Sequence, residues 1–321
     1  MERIEQNKII KELEGSLLYA MSLGSKELYH SNVWAWLFTY NRKFLKIFFK
    51  DIMADEFTVT REENNRDITI WVNRDAYVIE NKFKSLPNKG QLNKYEKKLA
   101  ERFKGGVITG IKEPEWIDEL EKWHFLSYRE IVSAMREVVA AIKDDNRIIN
   151  EHIDNIEKSI DLIEDFMENI DMNWLIMTDE VKAKLKVLDS VGLADICQKL
   201  QANRFVEYIK RQDDFEEYRS QVLNLGWELE VRSDFSNKTG LVDVLCFKYE
   251  NKPDNNKKER RIIKAIGIQL QSICYKKIMM MNWRASDIYN EAVRIQWISE
   301  NWSNGRKRAS RQKDFRFKQY N

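Results

Sequence analysis

Three prolines and eleven glycines in 321 residues are too few for a chain built on frequent tight turns. An all-β sandwich or barrel needs turn formers roughly every 8–12 residues. The shortage therefore predicts long helices around a limited sheet, an α/β or α+β chain. Apolar residues make up 43% and aromatics 12%, so a real core is expected despite 33% charged residues. The length suits one catalytic-sized unit with appended structure.

Patterning divides the chain into three stretches. In 1–141, Ile9, Leu13, Leu17, Leu18 and Met21 fall at helical spacing, Gly24 breaks the pattern, and Ser25 is read as the cap of a second helix running to about Lys50. Residues 57–60, 67–72 and 77–83 are short and β-rich, which predicts three antiparallel strands. After the turn Pro87-Asn88-Lys89-Gly90, a basic helix is expected over 91–103, strands over 107–111 and 123–126, and a helix over 128–141. In 142–215, the stripe Ile153, Ile156, Ile160, Ile163, Met167 and Ile170 predicts a helix packed on the next one, about 179–211, with a weak point at Gly192. The last stretch, 216–321, reads as α+β, with strands near 227–231, 241–249 and 262–270, a polar loop over 251–258 and a basic tail from Ser303.

Cys197, Cys246 and Cys274 lie far apart, as do His30, His124 and His152, so no zinc-ligand spacing is visible. Sparse thiols and a charged start, Met1-Glu2-Arg3-Ile4-Glu5, are read as cytoplasmic. Apolar runs such as Val33 to Phe38 fall short of the roughly 18 residues of a membrane span, and no membrane partner is expected. The net charge of +2 says little, but its distribution is informative. Between Lys82 and Lys104, eight basic residues, Lys94 among them, face two acidic ones, a surface suited to phosphates. Between Asp144 and Asp171, ten acidic residues against two basic ones would repel a polyanion. The tryptophans Trp283, Trp297 and Trp302 either stack bases beside the basic tail or fill a core.

The chemistry concentrates at Asp67, Glu80 and Lys82. Strand side chains alternate, so Glu80 and Lys82 share a face. A hairpin loop at Arg74-Asp75, or one from Asn73 to Ala76, sets Val72 opposite Tyr77 and Asp67 opposite Lys82. Glu80 then lies diagonally from Asp67 at roughly 7–8 Å, a gap one cation can bridge. Magnesium (or manganese) suits two carboxylates and the Asn81 carbonyl, with places left for water and a phosphate. Lys82 would orient the nucleophile or offset developing charge, the chemistry of phosphodiester hydrolysis. Glu250-Asn251-Lys252 repeats the tripeptide, but it opens a polar loop with no packed face to hold it, and is given a surface role.

Arg66-Asp67-Ile68, then Val78-Ile79-Glu80-Asn81-Lys82, then Gln91-Leu92 and Tyr95, resemble the PD-(D/E)XK nuclease superfamily. Upstream, Glu27-Leu28-Tyr29-His30-Ser31 is similar to a bacterial branch that carries E-x-x-H-S, R-x-D-I, I-E-N-K and Q-L-x-x-Y in this order. Arg66 stands where the family has a proline. The resemblance implies a restriction-endonuclease-like mixed sheet flanked by helices, with Asp67 and Glu80 as ligands of Mg2+ and Lys82 as the catalytic lysine. It further implies Glu27 as an accessory acid and Gln91 and Tyr95 along the same cleft. For Glu27 the alternative is a residue favoured by the helix dipole; for His30 it is a hydrogen-bonded core residue rather than a substrate contact. Gln91 and Tyr95 could equally mark an exposed helix face. A nucleic-acid substrate follows, DNA favoured over RNA, with defence against foreign (phage) DNA as the implied setting and a second copy or another protein left open as a partner.

A non-catalytic binding module on the same fold, and an interaction protein built around the 153–170 helix, are the rival readings. A fainter echo lies in Thr239 to Leu245 and Ile266 to Gln271, where Gln269 and Gln271 stand as Glu80 and Lys82 do. It is either a degenerate second core or an ordinary hairpin.

Overall fold

The computed structural model describes residues 3–23, 26–52, 56–143, 145–168, 179–236, 239–251, 260–271, 275–281 and 316–320. Gly24, Ser25, Ile170, Cys274, the 252–258 part of the polar loop, Trp283, Trp297, Trp302 and most of the basic tail lie outside them. Contacts divide the chain into two compact units, residues 1–169 with 185–197, and residues 170–184 with 198–321.

The first unit opens with helices α1 (Arg3–Gly15), α2 (Leu17–Ser22), α3 (Lys26–Tyr40) and the short α4 (Leu45–Phe48). The single helix expected from 26 to 50 is thus broken. Asn41 is the reason: its side-chain oxygen accepts from the Lys43 amide at 3.0 Å, a local bond that competes with the helical ladder. Strands β1 (Thr58–Glu63), β2 (Arg66–Val72) and β3 (Asp75–Lys82) form an antiparallel meander, as predicted. Helix α5 (Lys89–Leu99) then leads to β4 (Phe103–Gly110) and β5 (Trp123–Ser127), both parallel to β3, followed by α6 (Tyr128–Ile142) and α7 (Arg147–Glu168). The sheet order is β1-β2-β3-β4-β5, so β3 is central.

The register of the β2–β3 hairpin corrects the sequence reading. Val72 pairs with Asp75 and Ile68 with Ile79. The turn is the two residues Asn73-Arg74, because Asn73 adopts a left-handed φ of 56°, which asparagine tolerates better than most residues. Continued one step beyond Ile68–Ile79, the register sets Asp67 opposite Glu80, not Lys82.

Tyr77-Val78-Ile79-Glu80 is apolar on both faces because β3 is covered on both. Ala76 and Val78 pack with Leu92, Tyr95 and Leu99 of α5. On the other face Phe83 meets His30 of α3 at 4.8 Å and Tyr128 of α6 at 4.7 Å between ring centroids. β4 needs glycine where α5's layer is tightest: a Cβ on Gly106 would lie 2.3 Å from the Trp123 ring. Gly106→Ala is therefore expected to destabilise the chain by about 1–3 kcal/mol through overpacking. Thermal melting measures it, and a change of a few tenths of a kcal/mol would show that the Trp123 ring yields freely.

The apolar stripe of α7 packs against α6 and against α1 and α2, rather than chiefly on the helix that follows, as the sequence had suggested. Its acidic flank is partly neutralised from α6: Arg129 reaches Asp161 at 2.7 Å and Glu164 at 2.5 Å, and Arg136 reaches Asp154 at 2.8 Å and also Glu157. Half-exposed pairs like these add little each to stability.

Beyond α7 come α8 (Asp179–Ser190) and α9 (Ala194–Lys210), parted at Gly192, whose φ of 64° ends the run at the predicted weak point. The second unit then holds α10 (Phe215–Asn224) and strands β6 (Glu228–Ser236), β7 (Thr239–Asn251), β8 (Arg260–Gln271), β9 (Tyr275–Met281) and β10 (Arg316–Tyr320). This sheet is antiparallel throughout, in the order β10-β9-β8-β7-β6. Among the described residues no helix is long and apolar enough to cross a membrane.

Candidate active site

Glu80 and Lys82 project from the β3 face that α5 covers, the face shared by Ala76 and Val78. Lys82 Nζ lies 2.6 Å from Glu80 Oε1, and the same oxygen accepts from Gln91 Nε2 at 2.6 Å. The Glu80 side chain is only 1% exposed, yet its Oε2 has no hydrogen-bond partner among the described residues. Leaving a buried carboxylate oxygen unpaired is costly, so the position calls for a cation or a proton. Asp67, half-buried at the start of β2, accepts from the Asn81 main-chain N–H through Oδ2 at 2.6 Å.

Electrostatics follow from this geometry. Burial first, and the Glu80 carboxylate second, push Asp67 up from its ordinary 3.8 to about 7. Burial likewise raises Glu80, against the pull of Lys82. Burial disfavours the Lys82 ammonium, but the charge and hydrogen bond of Glu80, together with the Asp67 and Glu27 carboxylates, outweigh it and the lysine is raised. Two carboxylates compete for one proton beside a fixed cation, an arrangement that a further dication would relieve.

Sequence-predicted residues fall in two places. Gln91 and Tyr95, one turn apart on α5, do reach the carboxylates: Gln91 bridges Glu80 and the Tyr95 hydroxyl, which donates in turn to the Asn65 carbonyl. The Asn88 side chain caps α5 by accepting from the Gln91 amide at 3.1 Å, so the helix starts where Gln91 must stand. Lys94 is exposed on the same helix. Glu27, by contrast, turns its carboxylate to the loop after β3, where Oε1 accepts from the Lys84 amide at 3.0 Å and the Ser85 hydroxyl at 2.7 Å. His30 is buried on the opposite face of the sheet, 5.3 Å from His152 and 5.5 Å from Tyr128 between ring centroids. It is not brought to the carboxylates but lies among the aromatic rings of the core.

Asn81, read from sequence as a metal ligand through its carbonyl, has a fully engaged side chain. Its Nδ2 donates to the Glu27 carbonyl at 2.6 Å and to Ser31 Oγ at 3.1 Å, and its Oδ1 accepts from Tyr128 and, at 3.3 Å, from Thr109. One amide thus ties α3, β4 and α6 to the strand whose main chain holds Asp67. Asn81→Ala leaves these groups unpaired in the core, at an expected cost of about 3 kcal/mol. Urea unfolding measures it; a loss under 1 kcal/mol would mean that water replaces the amide.

Arg66, where the family has proline, is 2% exposed and staples the β1–β2 turn, reaching Thr69 Oγ1 at 2.9 Å and Glu63 at 3.1 Å. Sequence reasoning missed Glu62. It lies between the pairs Arg61–Ile68 and Glu63–Arg66, hence opposite Asp67, whose proton its charge helps to hold. A left-handed φ of 55° breaks the alternation that would have revealed its face. Among the described residues no group of three or more His, Cys, Asp or Glu side chains converges as a metal cage. A dication held by two carboxylates would draw the rest of its shell from waters and substrate.

A five-stranded mixed sheet, antiparallel at β1–β3 and parallel at β3–β5, with helices on both faces, is the restriction-endonuclease-like arrangement. Residues 16–155 match the model of the PD-(D/E)XK nuclease superfamily. No curated protein and no solved structure matches the chain.

Proposed function

We propose that the chain is a nuclease that hydrolyses phosphodiester bonds with Mg2+ or Mn2+, acting on DNA in preference to RNA, in the cytoplasm and in defence against foreign DNA. The observation that carries the reading is the opposed pair Asp67–Glu80, with Glu80 Oε2 buried and unpartnered and Lys82 alongside. Asp67, Glu80 and the Asn81 main-chain carbonyl would hold the metal. The bound dication supplies Lewis-acid charge and lowers the pKa of water in its shell.

The chain's own residues do the rest. Lys82, charged and held at Glu80, lies where it can orient the attacking water and offset charge on the phosphate. Gln91 fixes the Glu80 carboxylate and Tyr95 anchors Gln91, so the pair maintains the ligand's direction. Glu27 acts through the loop after β3 rather than on the reacting atoms. Exposed Lys94, Lys97 and Lys98 on α5 offer the flank of the site to a phosphate backbone.

The test is incubation of the purified chain with linear DNA, circular DNA and RNA, with and without Mg2+ or Mn2+. Metal-dependent cleavage of DNA supports the reading, and cutting of the circle makes it an endonuclease. Salt-sensitive binding with no turnover under any metal would favour the non-catalytic module instead.

A further inference from the structure

Carrying the β1–β2 register through the gap between Arg61–Ile68 and Glu63–Arg66, and the β2–β3 register one step past Ile68–Ile79, places Glu62, Asp67 and Glu80 in one row across the three antiparallel strands. Exposure falls along it, from Glu62 in solvent to Glu80 in the core. Three consecutive antiparallel strands of the second unit carry a row of the same form: Arg232 pairs with Asp243, and Asp243 with Gln269. Here too the outer residue is exposed and the inner one buried, with Arg232 at 45%, Asp243 at 1% and Gln269 at 7%. The central aspartate is kept, while the outer acid is replaced by a guanidinium and the inner acid by an amide. Gln269 Nε2 donates to Asp243 Oδ1 at 2.9 Å, and Arg232 Nε lies 3.6 Å from Oδ2.

Where the first row is all acid and leaves a carboxylate oxygen unpartnered, the second is electrically neutral and both oxygens of its aspartate face donors. The likeness stops at three strands, since β8 is followed by the antiparallel β9 whereas β3 is followed by a helix and the parallel β4.

We propose that the second unit holds a latent divalent-cation site at Asp243, closed by its own Arg232 and Gln269, which occupy the place that a dication held by Asp67 and Glu80 would take in the first row. The proposal rests on the reading of Asp67–Glu80 as a dication site. It makes the second unit a metal-independent, non-cleaving module. Two carboxylates on adjacent strands stand close enough to share an ion. Restoring the inner acid and removing the guanidinium should therefore open the site.

The experiment uses the full chain carrying Glu80→Gln, which silences the first row, titrated with Mn2+ and followed by electron paramagnetic resonance of the free ion. Adding Arg232→Met and Gln269→Glu is expected to add one bound Mn2+ per chain, lost again on Asp243→Asn. The proposal is overturned if the folded triple variant binds no additional Mn2+, or if the added ion survives Asp243→Asn. It is also overturned if Glu80→Gln alone binds an ion that Asp243→Asn removes. Mn2+ that Glu80→Gln retains and Asp243→Asn leaves untouched counts against the Asp67–Glu80 reading, while the increment still decides the second row. Should the triple variant fail to fold, Gln269→Glu alone with Glu80→Gln decides, since half-exposed Arg232 can swing to solvent. Millimolar Mn2+ should raise its melting temperature and not that of Glu80→Gln, and equal melting would sink the proposal.

Discussion

Glu80→Gln is expected to lower metal-dependent DNA cleavage by about three orders of magnitude, and Lys82→Ala by about 10²–10³-fold, for different reasons. The glutamine keeps the shape of the glutamate and an oxygen for Gln91, but removes the charge that, on the proposed reading, would hold the dication. Loss of several kcal/mol of transition-state stabilisation, at about 1.36 kcal/mol per tenfold, gives the thousandfold figure. Lys82→Ala keeps both carboxylates and removes the cation 2.6 Å from Glu80. The two variants should therefore separate in a binding measurement. Lys82→Ala should still be stabilised by Mg2+ against heat, and Glu80→Gln should not. Single-turnover cleavage and melting with and without Mg2+ read both effects. Wild-type rates in either variant, on a protein confirmed to fold, would remove these residues from the chemistry.

In metal-free buffer, Asp67→Asn is expected to be more stable than the wild type above about pH 7, with the advantage fading as the pH falls toward 4. Folding raises the Asp67 pKa from 3.8 to about 7, so the folded state holds a proton that the unfolded chain releases. The wild type is then at its best below the unfolded value and loses stability as pH rises through the folded one. At about 1.36 kcal/mol per pKa unit the difference is on the order of 2–4 kcal/mol, allowing for the half-exposed position. Asparagine carries no charge to bury and can still accept from the Asn81 amide. On the proposed reading Mg2+ should reverse the ranking at alkaline pH by binding the ionised pair: at a hundredfold excess over Kd it would add about 2.7 kcal/mol to the wild type alone. Urea unfolding of both proteins at pH 5 and pH 8, with and without Mg2+, gives the four values needed for each. Parallel wild-type and variant profiles would mean that Asp67 ionises freely in the fold and that the site is not under the strain derived above.

Much of the site was legible because its residues obey local periodicities. Alternation alone puts Glu80 and Lys82 on one face of β3, and helical spacing puts Gln91 and Tyr95 together on α5. Both relations hold within single elements and need no knowledge of what packs where. The hairpin register was not legible at this level, since it turned on whether Asn73 would take a left-handed φ. The choice moved the partner of Asp67 from Lys82 to Glu80 and changed a diagonal acid pair into an opposed one. Glu27 and His30 show the other limit. Their spacing in one helix places them near β3, but the closing loop claims the Glu27 carboxylate, and packing against Phe83 and Tyr128 takes His30 into the core.

From sequence alone came the mixed α and β class, the antiparallel meander, the order of the acidic and basic residues and the family they resemble. These depend on patterns a few residues long, which the chain carries wherever it folds. Only the tertiary structure decided which carboxylates oppose each other, which oxygen is left without a donor, and where the Asn81 amide spends its hydrogen bonds. Those outcomes depend on groups distant in sequence competing for the same few ångströms of buried space, and local periodicity holds no record of that competition.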